Sequence, residues 1–182
     1  GENLGVGHSA LAANTTGTDN TAVGRYGTLM ANTTGDNNTA LGRSALGANT
    51  TGHSNVAVGN LALDANISGN YNLAVGRDSL GGNTTGAGNI SVGASTLLTN
   101  TTGGDNVAMG NDALRANTTA SNNSAFGNAC LQANTTGTGN VAMGSVALDA
   151  NTTGNYNVAL GRNALGANTT GHNSVAIGTE AL

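Results

Sequence analysis

Few side chains in this sequence could carry out chemistry, and they are spread along the whole chain. The histidines are His8, His53 and His172, and the single cysteine is Cys130. Metal binding and acid–base catalysis both require several such groups to converge on one site. Cys130 holds a repeat position that small residues such as Ala45, Ala113, Ala147 and Ala164 hold elsewhere, which indicates a buried small side chain. The sequence therefore predicts no catalytic, metal or cofactor site, and we expect that the protein is not an enzyme.

Charged residues are equally sparse. Asp19, Asp36 and Asp105 lie beside turn sequences and could attract a weak cation, but the spacing of calcium-binding nonapeptide repeats is missing. The five basic residues are too few to neutralise the phosphates of a nucleic acid, so we expect no nucleic-acid partner. Four of them directly follow a repeat glycine, where two together could bind an anionic sugar, although solubilising a turn explains them as well. These four are Arg25, Arg43, Arg77 and Arg162.

A regular repeat organises the chain that carries these groups. One unit reads V-A-V-G-x-x-A-L-x-A-N-T-T-G-x-x-N, as in the segment 56–72, and it returns with a 17-residue period. Units this short cannot fold alone, so each must be one coil of a stack that buries its apolar face on its neighbours. The step from Gly24 to Gly42 is one residue longer than the others, and we expect a bulge near Gly27. The sequence predicts an all-β, parallel β-solenoid of about ten coils over residues 1–182, as a single domain.

The alternation of side chains along a strand predicts which residues face inward. In V-A-V-G we expect the large third residue inside and the small middle residue outside, on a flat face that contacts another chain. Such contacts are predicted at Ala57, Ala74, Ala108 and Ala125. A second strand is expected to place an unbroken row of leucines in the core. Its central members are Leu46, Leu63, Leu80, Leu97, Leu114, Leu131, Leu148 and Leu165.

The N-T-T-G segment of each unit is predicted to form a turn with stacked ladders of like residues. Alternation from the leucine sends the asparagine and the second threonine outward, where they would hydrogen-bond along the axis. The following glycine suits a turn with positive φ. Each asparagine also begins an N-x-S/T sequon, which the ladders explain better than glycosylation does. The sequons begin at Asn14, Asn32, Asn49, Asn66, Asn83, Asn100, Asn117, Asn134, Asn151 and Asn168.

The segment Asn173–Gly178, which reads N-S-V-A-I-G, resembles the head repeat of trimeric autotransporter adhesins. Similar arrays occur in tail-fibre proteins of phages and other large viruses, and the resemblance covers essentially the whole chain. It implies a left-handed β-roll in which three copies lie side by side and project a binding surface from a cell or virion. This chain departs from the adhesin head in its 17-residue coil, which is longer than the adhesin repeat of about 14.

These features lead us to expect a rigid, non-enzymatic segment of a longer extracellular or virion surface fibre. No stretch approaches the roughly 20 apolar residues of a membrane span, so we expect no membrane insertion. The two residues after each N-T-T-G vary, and these turns are where a scaffold would contact a host surface or glycan. The candidates for binding are His53, Asn70, Tyr71, Asn155, Tyr156 and His172.

Two other functions remain open at this stage. Regular threonine ladders on a flat face are typical of an ice-binding solenoid, although N-T-T is expected to place its two threonines on opposite faces. A polysaccharide-cleaving solenoid is the third alternative. It is disfavoured because no carboxylate pair recurs at matching positions on adjacent coils.

Overall fold

The computed structural model describes residues 1–182 and shows stacked 17-residue coils, which form a parallel β-solenoid of about ten turns. Each coil contributes one short strand, and no helix is present that could span a membrane. The predicted all-β solenoid is confirmed. The strands are β1 Leu4–Val6, β2 Thr21–Val23, β3 Thr39–Leu41, β4 Val56–Val58, β5 Leu73–Val75, β6 Ile90–Val92, β7 Val107–Met109, β8 Ser124–Phe126, β9 Val141–Met143, β10 Val158–Leu160 and β11 Val175–Ile177.

The eleven strands form one sheet in chain order, with every neighbouring pair parallel. The register places like residues over like, so that Ala57 of β4 pairs with Ala74 of β5 and Val58 pairs with Val75. With strands about 4.8 Å apart, the stack is about 50 Å long. The repeat period thus becomes a set of straight columns of equivalent side chains along the axis.

The strands face the opposite way from the prediction. Ala57 is fully buried inside its own coil, whereas Val56 and Val58 on either side of it are only half-buried. The same pattern holds along the sheet, including at Ala108 and Ala125. The prediction that these alanines contact another chain is therefore wrong, because their side chains lie in the solenoid interior.

The leucine row lies in the interior, but it does not belong to a second strand. Leu46 to Leu148 have no solvent exposure and Leu165 has 5%. Every leucine of the row adopts left-handed backbone, with φ between 47° and 55°, within a run of tight turns. That conformation costs roughly 1–2 kcal/mol for a residue with a Cβ, and burying a leucine side chain yields about 1.5–3 kcal/mol. Burial therefore offsets the strain.

Each coil has a very small core. In the fourth coil it consists of Ala57 from the strand, together with Ala62 and Leu63 from the turns, all fully buried. Where the sequence places hydroxyl groups in these positions, they donate to backbone carbonyls or to each other. Ser79 donates from Oγ to Ser91 Oγ at 2.7 Å, and Ser91 Oγ donates to the carbonyl of Thr96 at 3.0 Å. No buried side-chain polar atom lacks a partner.

The asparagines of N-T-T point inward, so the prediction of an outward asparagine ladder is wrong. Asn49 donates from Nδ2 to Asn32 Oδ1 at 2.8 Å and to the carbonyl of Gly52 at 3.0 Å. We call this column the NTT ladder, and its lateral bonds measure 2.7–3.2 Å along the rod. The second threonine of N-T-T does face solvent, as Thr51 illustrates.

A second asparagine ladder precedes the strands. Asn38 Oδ1 accepts from the backbone N–H of Asn55 at 3.0 Å, and Asn38 Nδ2 donates to the carbonyl of Gly52 at 2.9 Å. That carbonyl also accepts from Asn49 of the NTT ladder. The two ladders therefore share acceptors and fasten the corner from which each strand begins.

Two kinds of glycine are required for different reasons. Gly59, which directly follows strand β4, has φ +139°, and a Cβ there would lie 2.4 Å from the carbonyl oxygen of Gly76. Gly52, after N-T-T, does not have positive φ, so the prediction for that turn is wrong. It is glycine because a Cβ would lie 2.3 Å from Asn49 Oδ1 and 2.5 Å from the Gly69 carbonyl.

The extra residue of the 18-residue coil lies where it was predicted, between Gly24 and Leu29. The additional residue lies within the turn that follows strand β2. Tyr26 and Gly27 take positive φ there, at 56° and 86°, whereas in the next coil the positive-φ residues of the turn are Gly42 at 133° and Ser44 at 54°. The Tyr26 side chain is 57% exposed.

Candidate binding surfaces

The outer face of the sheet is an apolar surface that runs the length of the rod. The first and third residues of every strand point outward, and all are apolar except Thr21, Thr39 and Ser124. We call this surface the sheet face. It carries no charged side chain, and Leu41 and Met143 remain 48% exposed. At about 50 Å by about 10 Å it covers on the order of 500 Å², near the upper end of apolar patches on monomeric proteins.

The N-T-T corner presents threonines to solvent in one exposed row and one half-buried row. Thr33 Oγ1 donates to the carbonyl of Thr50 in the next coil at 3.0 Å. Thr34, the second threonine, is exposed. Neither threonine lies in the core, because the asparagine occupies the inward position. The exposed row is interrupted only by Ser68 at the equivalent position.

The first candidate turn brings His53, Asn70 and Tyr71 together across two adjacent coils. Asn70 Oδ1 accepts from the backbone N–H of His53 at 2.9 Å. The rings of His53 and Tyr71 meet edge to face, with centroids 4.9 Å apart. Tyr71 is nevertheless 65% exposed. The cluster is thus an ordered aromatic surface on a turn.

The second candidate turn lies five coils further along and has a different arrangement. His172 Nδ1 accepts from the backbone N–H of Asn155 at 3.0 Å. The ring of Tyr156 lies over Gly139, where a Cβ would come within 2.7 Å of it, and is 64% exposed. Five coil steps place the two tyrosines about 24 Å apart. The structure thus holds two separate clusters and does not bring all six predicted turn residues into one site.

The arginines divide into paired and unpaired groups. Arg77 and Arg162 form ion pairs with Asp78 and Glu180, and Arg115 lies 3.6 Å from Asp112. Arg25 and Arg43 have no carboxylate within ion-pair distance. Instead, their Cζ atoms lie 5.0 Å and 5.8 Å from the centroid of the Tyr26 ring.

The titratable side chains are dispersed along the rod. No three His, Cys, Asp or Glu side chains lie close enough to hold a metal ion. Burial raises the pKa of the Cys130 thiol to about 12, and its Sγ lies 3.2 Å from the carbonyl oxygen of Ala142. Burial, with a smaller contribution from Asp78, also raises the pKa of Asp64. A thiol with such a high pKa is a poor nucleophile.

One open groove of about 390 Å³ lies on the turn side of the rod. Its lining comes from three successive coils and consists of Leu98, Thr99, Arg115, Ala116, Gln132 and Ala133. None of these residues is a carboxylate, a cysteine or a histidine.

Comparisons of the chain with family models, with curated proteins and with solved structures find no match. The resemblance of the N-S-V-A-I-G segment to adhesin head repeats therefore stays a hypothesis.

Two features of these surfaces were not predicted from the sequence. The first is the second asparagine ladder, which was visible as an asparagine recurring directly before nearly every strand, as at Asn55 and Asn72. The second is the cluster of Tyr26 with Arg25 and Arg43. The sequence signal for this cluster was that the only 18-residue coil contains a tyrosine directly after Arg25, while Arg43 holds the same repeat position as Arg25 in the next coil.

Proposed function

We propose that this chain is a non-enzymatic structural and adhesive segment of an extracellular or virion surface fibre. The observation that carries the proposal is the uncharged sheet face. Water-exposed aliphatic columns along a whole rod favour a partner of equal length and equal apolarity. A second copy of the same face meets both requirements.

The proposed assembly is a homotrimer with the three sheet faces turned toward a common axis. The number three and the left-handed winding come from the resemblance to adhesin heads and stay predictions. The sheet face replaces the alanine face as the proposed contact. In this arrangement the variable turns, with Tyr71 and Tyr156, remain outside and available to a host surface or glycan.

Substitution of one outward strand residue tests the proposal. Val75 points outward from β5 and contributes nothing to the interior, so Val75→Asp should leave each coil folded. In the assembly, an unpaired carboxylate on a dry interface costs several kcal/mol. We expect light scattering to show a lower mass for Val75→Asp and an unchanged mass for the matched control Thr85→Asp, on the exposed threonine row. Equal masses for both variants and the unmodified chain would contradict the proposal.

Ice binding is the second candidate, and the exposed threonine row favours it. Because both threonines of N-T-T are outside the core, the objection drawn from the sequence no longer applies. We still expect no ice binding, because the first threonine donates its hydroxyl hydrogen within the rod, as Thr135 does to Thr152 at 3.0 Å. Thermal hysteresis that disappears in a Thr102→Lys, Thr136→Lys double variant would replace the fibre interpretation.

A further inference from the structure

We propose that the 18-residue coil builds a binding site for an anionic saccharide, formed by Tyr26, Arg25 and Arg43. The ligand class is a hexose that carries a carboxylate or a sulfate ester. The proposal deepens the adhesive role and rests on it, since it assigns one ligand class to one place on the proposed fibre. The Tyr26 site follows a strand, whereas the turns at Tyr71 and Tyr156 precede their strands and so lie at the other end of the strands.

The site exists because of the single irregular coil. In the other coils the corresponding position never holds an aromatic residue; it is Ser44 in the next coil and Leu61 in the one after it. In the longer coil Tyr26 takes that position with φ +56°, which is uncommon for a bulky residue. The next coil holds it in place, since Ser44 Oγ donates to the Tyr26 carbonyl at 2.8 Å.

The charges around Tyr26 are the second observation. Three successive coils place His8, Arg25 and Arg43 at the position that directly follows the repeat glycine. The ring of His8 lies 6.3 Å from that of Tyr26, and Arg25 donates to the tyrosine hydroxyl at 3.1 Å. The other three arginines of the chain have carboxylate partners. The protein has a net charge of −4, and both of its arginines that lack a carboxylate partner lie beside the exposed ring of Tyr26.

This combination fits a sugar better than it fits a protein partner. The exposed face of a tyrosine packs against the apolar C–H face of a pyranose ring. Guanidinium groups bind carboxylate and sulfate oxygens through charge-assisted hydrogen bonds. Asp19 and Asp36 lie at the opposite end of strands β2 and β3, so no carboxylate competes at the site.

Calorimetry on the 182-residue chain tests the site with defined probes. These are tri-galacturonic acid, a sulfated galactose trisaccharide, neutral galactotriose, inorganic sulfate and polyglutamate. We expect one or both anionic sugars to bind, and the neutral sugar, free sulfate and polyglutamate to bind at least about tenfold more weakly. Loss of charge-assisted bonds in an Arg25→Gln, Arg43→Gln double variant should weaken sugar binding by about tenfold or more.

Two controls keep the result specific. Arg77→Gln removes an arginine from the same column that is already paired with Asp78, and should leave the affinity unchanged. Tyr26→Asn keeps a residue that tolerates left-handed backbone and should weaken the binding of sugars but not that of sulfate.

Equal losses in the Arg77 and Arg25/Arg43 variants, equal affinity for polyglutamate or free sulfate, or no binding of either anionic sugar would overturn the proposal. Solution mass, measured on the same samples, shows separately whether the fibre assembly fails.

Discussion

Asn100 donates a hydrogen bond of 2.8 Å from Nδ2 to Oδ1 of Asn83, in the coil before it, and both side chains are fully buried. The second Nδ2 hydrogen of Asn100 bonds to the carbonyl of Gly103 at 2.9 Å. Each side-chain amide in this column thus donates both of its hydrogens, and its oxygen accepts a hydrogen bond from the asparagine of the next coil. Such a ladder is satisfied only while the coils remain in register, so it specifies the stacking as well as stabilising it.

Removing one rung of the NTT ladder should destabilise the protein. Asn83→Ala deletes the donor to Asn66 and the acceptor of Asn100, which leaves buried polar atoms without partners. Each such atom costs about 1–3 kcal/mol, so we expect the free energy of unfolding to fall by at least about 2 kcal/mol. Thr85→Ala, on the neighbouring exposed row, should change it by no more than about 0.5 kcal/mol. Urea denaturation of both variants measures the difference, and equal midpoints would contradict the ladder.

The same burial determines which sequons can carry glycans. Asn83 begins the sequon N-T-T but is fully buried, whereas Asn37 and Asn122 begin the sequons N-N-T and N-N-S and are exposed. If the chain is secreted from a glycosylating host, we expect glycans on Asn37 and Asn122 of the folded protein and none on Asn83. Peptide mass spectrometry identifies the modified sites. Folded material that carries a glycan on Asn83 would show that the side chain faces outward after all.

The direction in which the strands face can be tested at neighbouring positions. Ala108 is fully buried, and a larger side chain there must displace the leucines of the core, whereas Met109 faces outward and is 41% exposed. We expect Ala108→Leu to lower the free energy of unfolding by about 1–3 kcal/mol and Met109→Leu to leave it nearly unchanged. On the turn side, Leu97→Asp should unfold the stack locally while Leu98→Asp is tolerated. The opposite order of melting temperatures in either pair would mean that the register is wrong by one residue.

How much of this structure was predictable differs between its parts. The 17-residue period predicts stacked coils because no other arrangement buries the apolar residues of so short a unit. The direction of the strands was wrong because a three-residue strand contains only one alternation, and side-chain size alone placed Val58 inside. Asn55 and Ala57 lie two residues apart on the inner face, and their joint recurrence is the signal that identifies that face.

The left-handed leucines and the exact contacts of Tyr26 could not be derived from the sequence, although the position of the Tyr26 cluster had a sequence signal. Nothing in a leucine side chain favours positive φ, and Leu97 adopts it only because the surrounding turns and the buried contact impose it. The contacts of Tyr26 likewise depend on how the extra residue of its coil is accommodated. Local preferences do not encode either outcome.

One strained position can be relieved. Val146 is a β-branched residue with φ +51°, whereas Asn163 holds the equivalent position of the next coil with φ +56°. Asparagine tolerates this conformation better than valine, so we expect Val146→Asn to raise the free energy of unfolding by about 1 kcal/mol. Asn163→Val should lower it by a similar amount. Calorimetric melting of the two variants checks both signs, and a stabilised Asn163→Val protein would contradict the assignment of strain.

Sedimentation equilibrium of the unmodified chain tests most directly whether the sheet face is an assembly surface. The sheet face leaves Val58, Val75 and their equivalents in water unless further copies cover them, and apolar burial on that scale drives association. At micromolar concentration we expect a particle of three times the 17.6 kDa chain mass. A mass of 17.6 kDa at every concentration, with the solenoid still folded, would contradict the account.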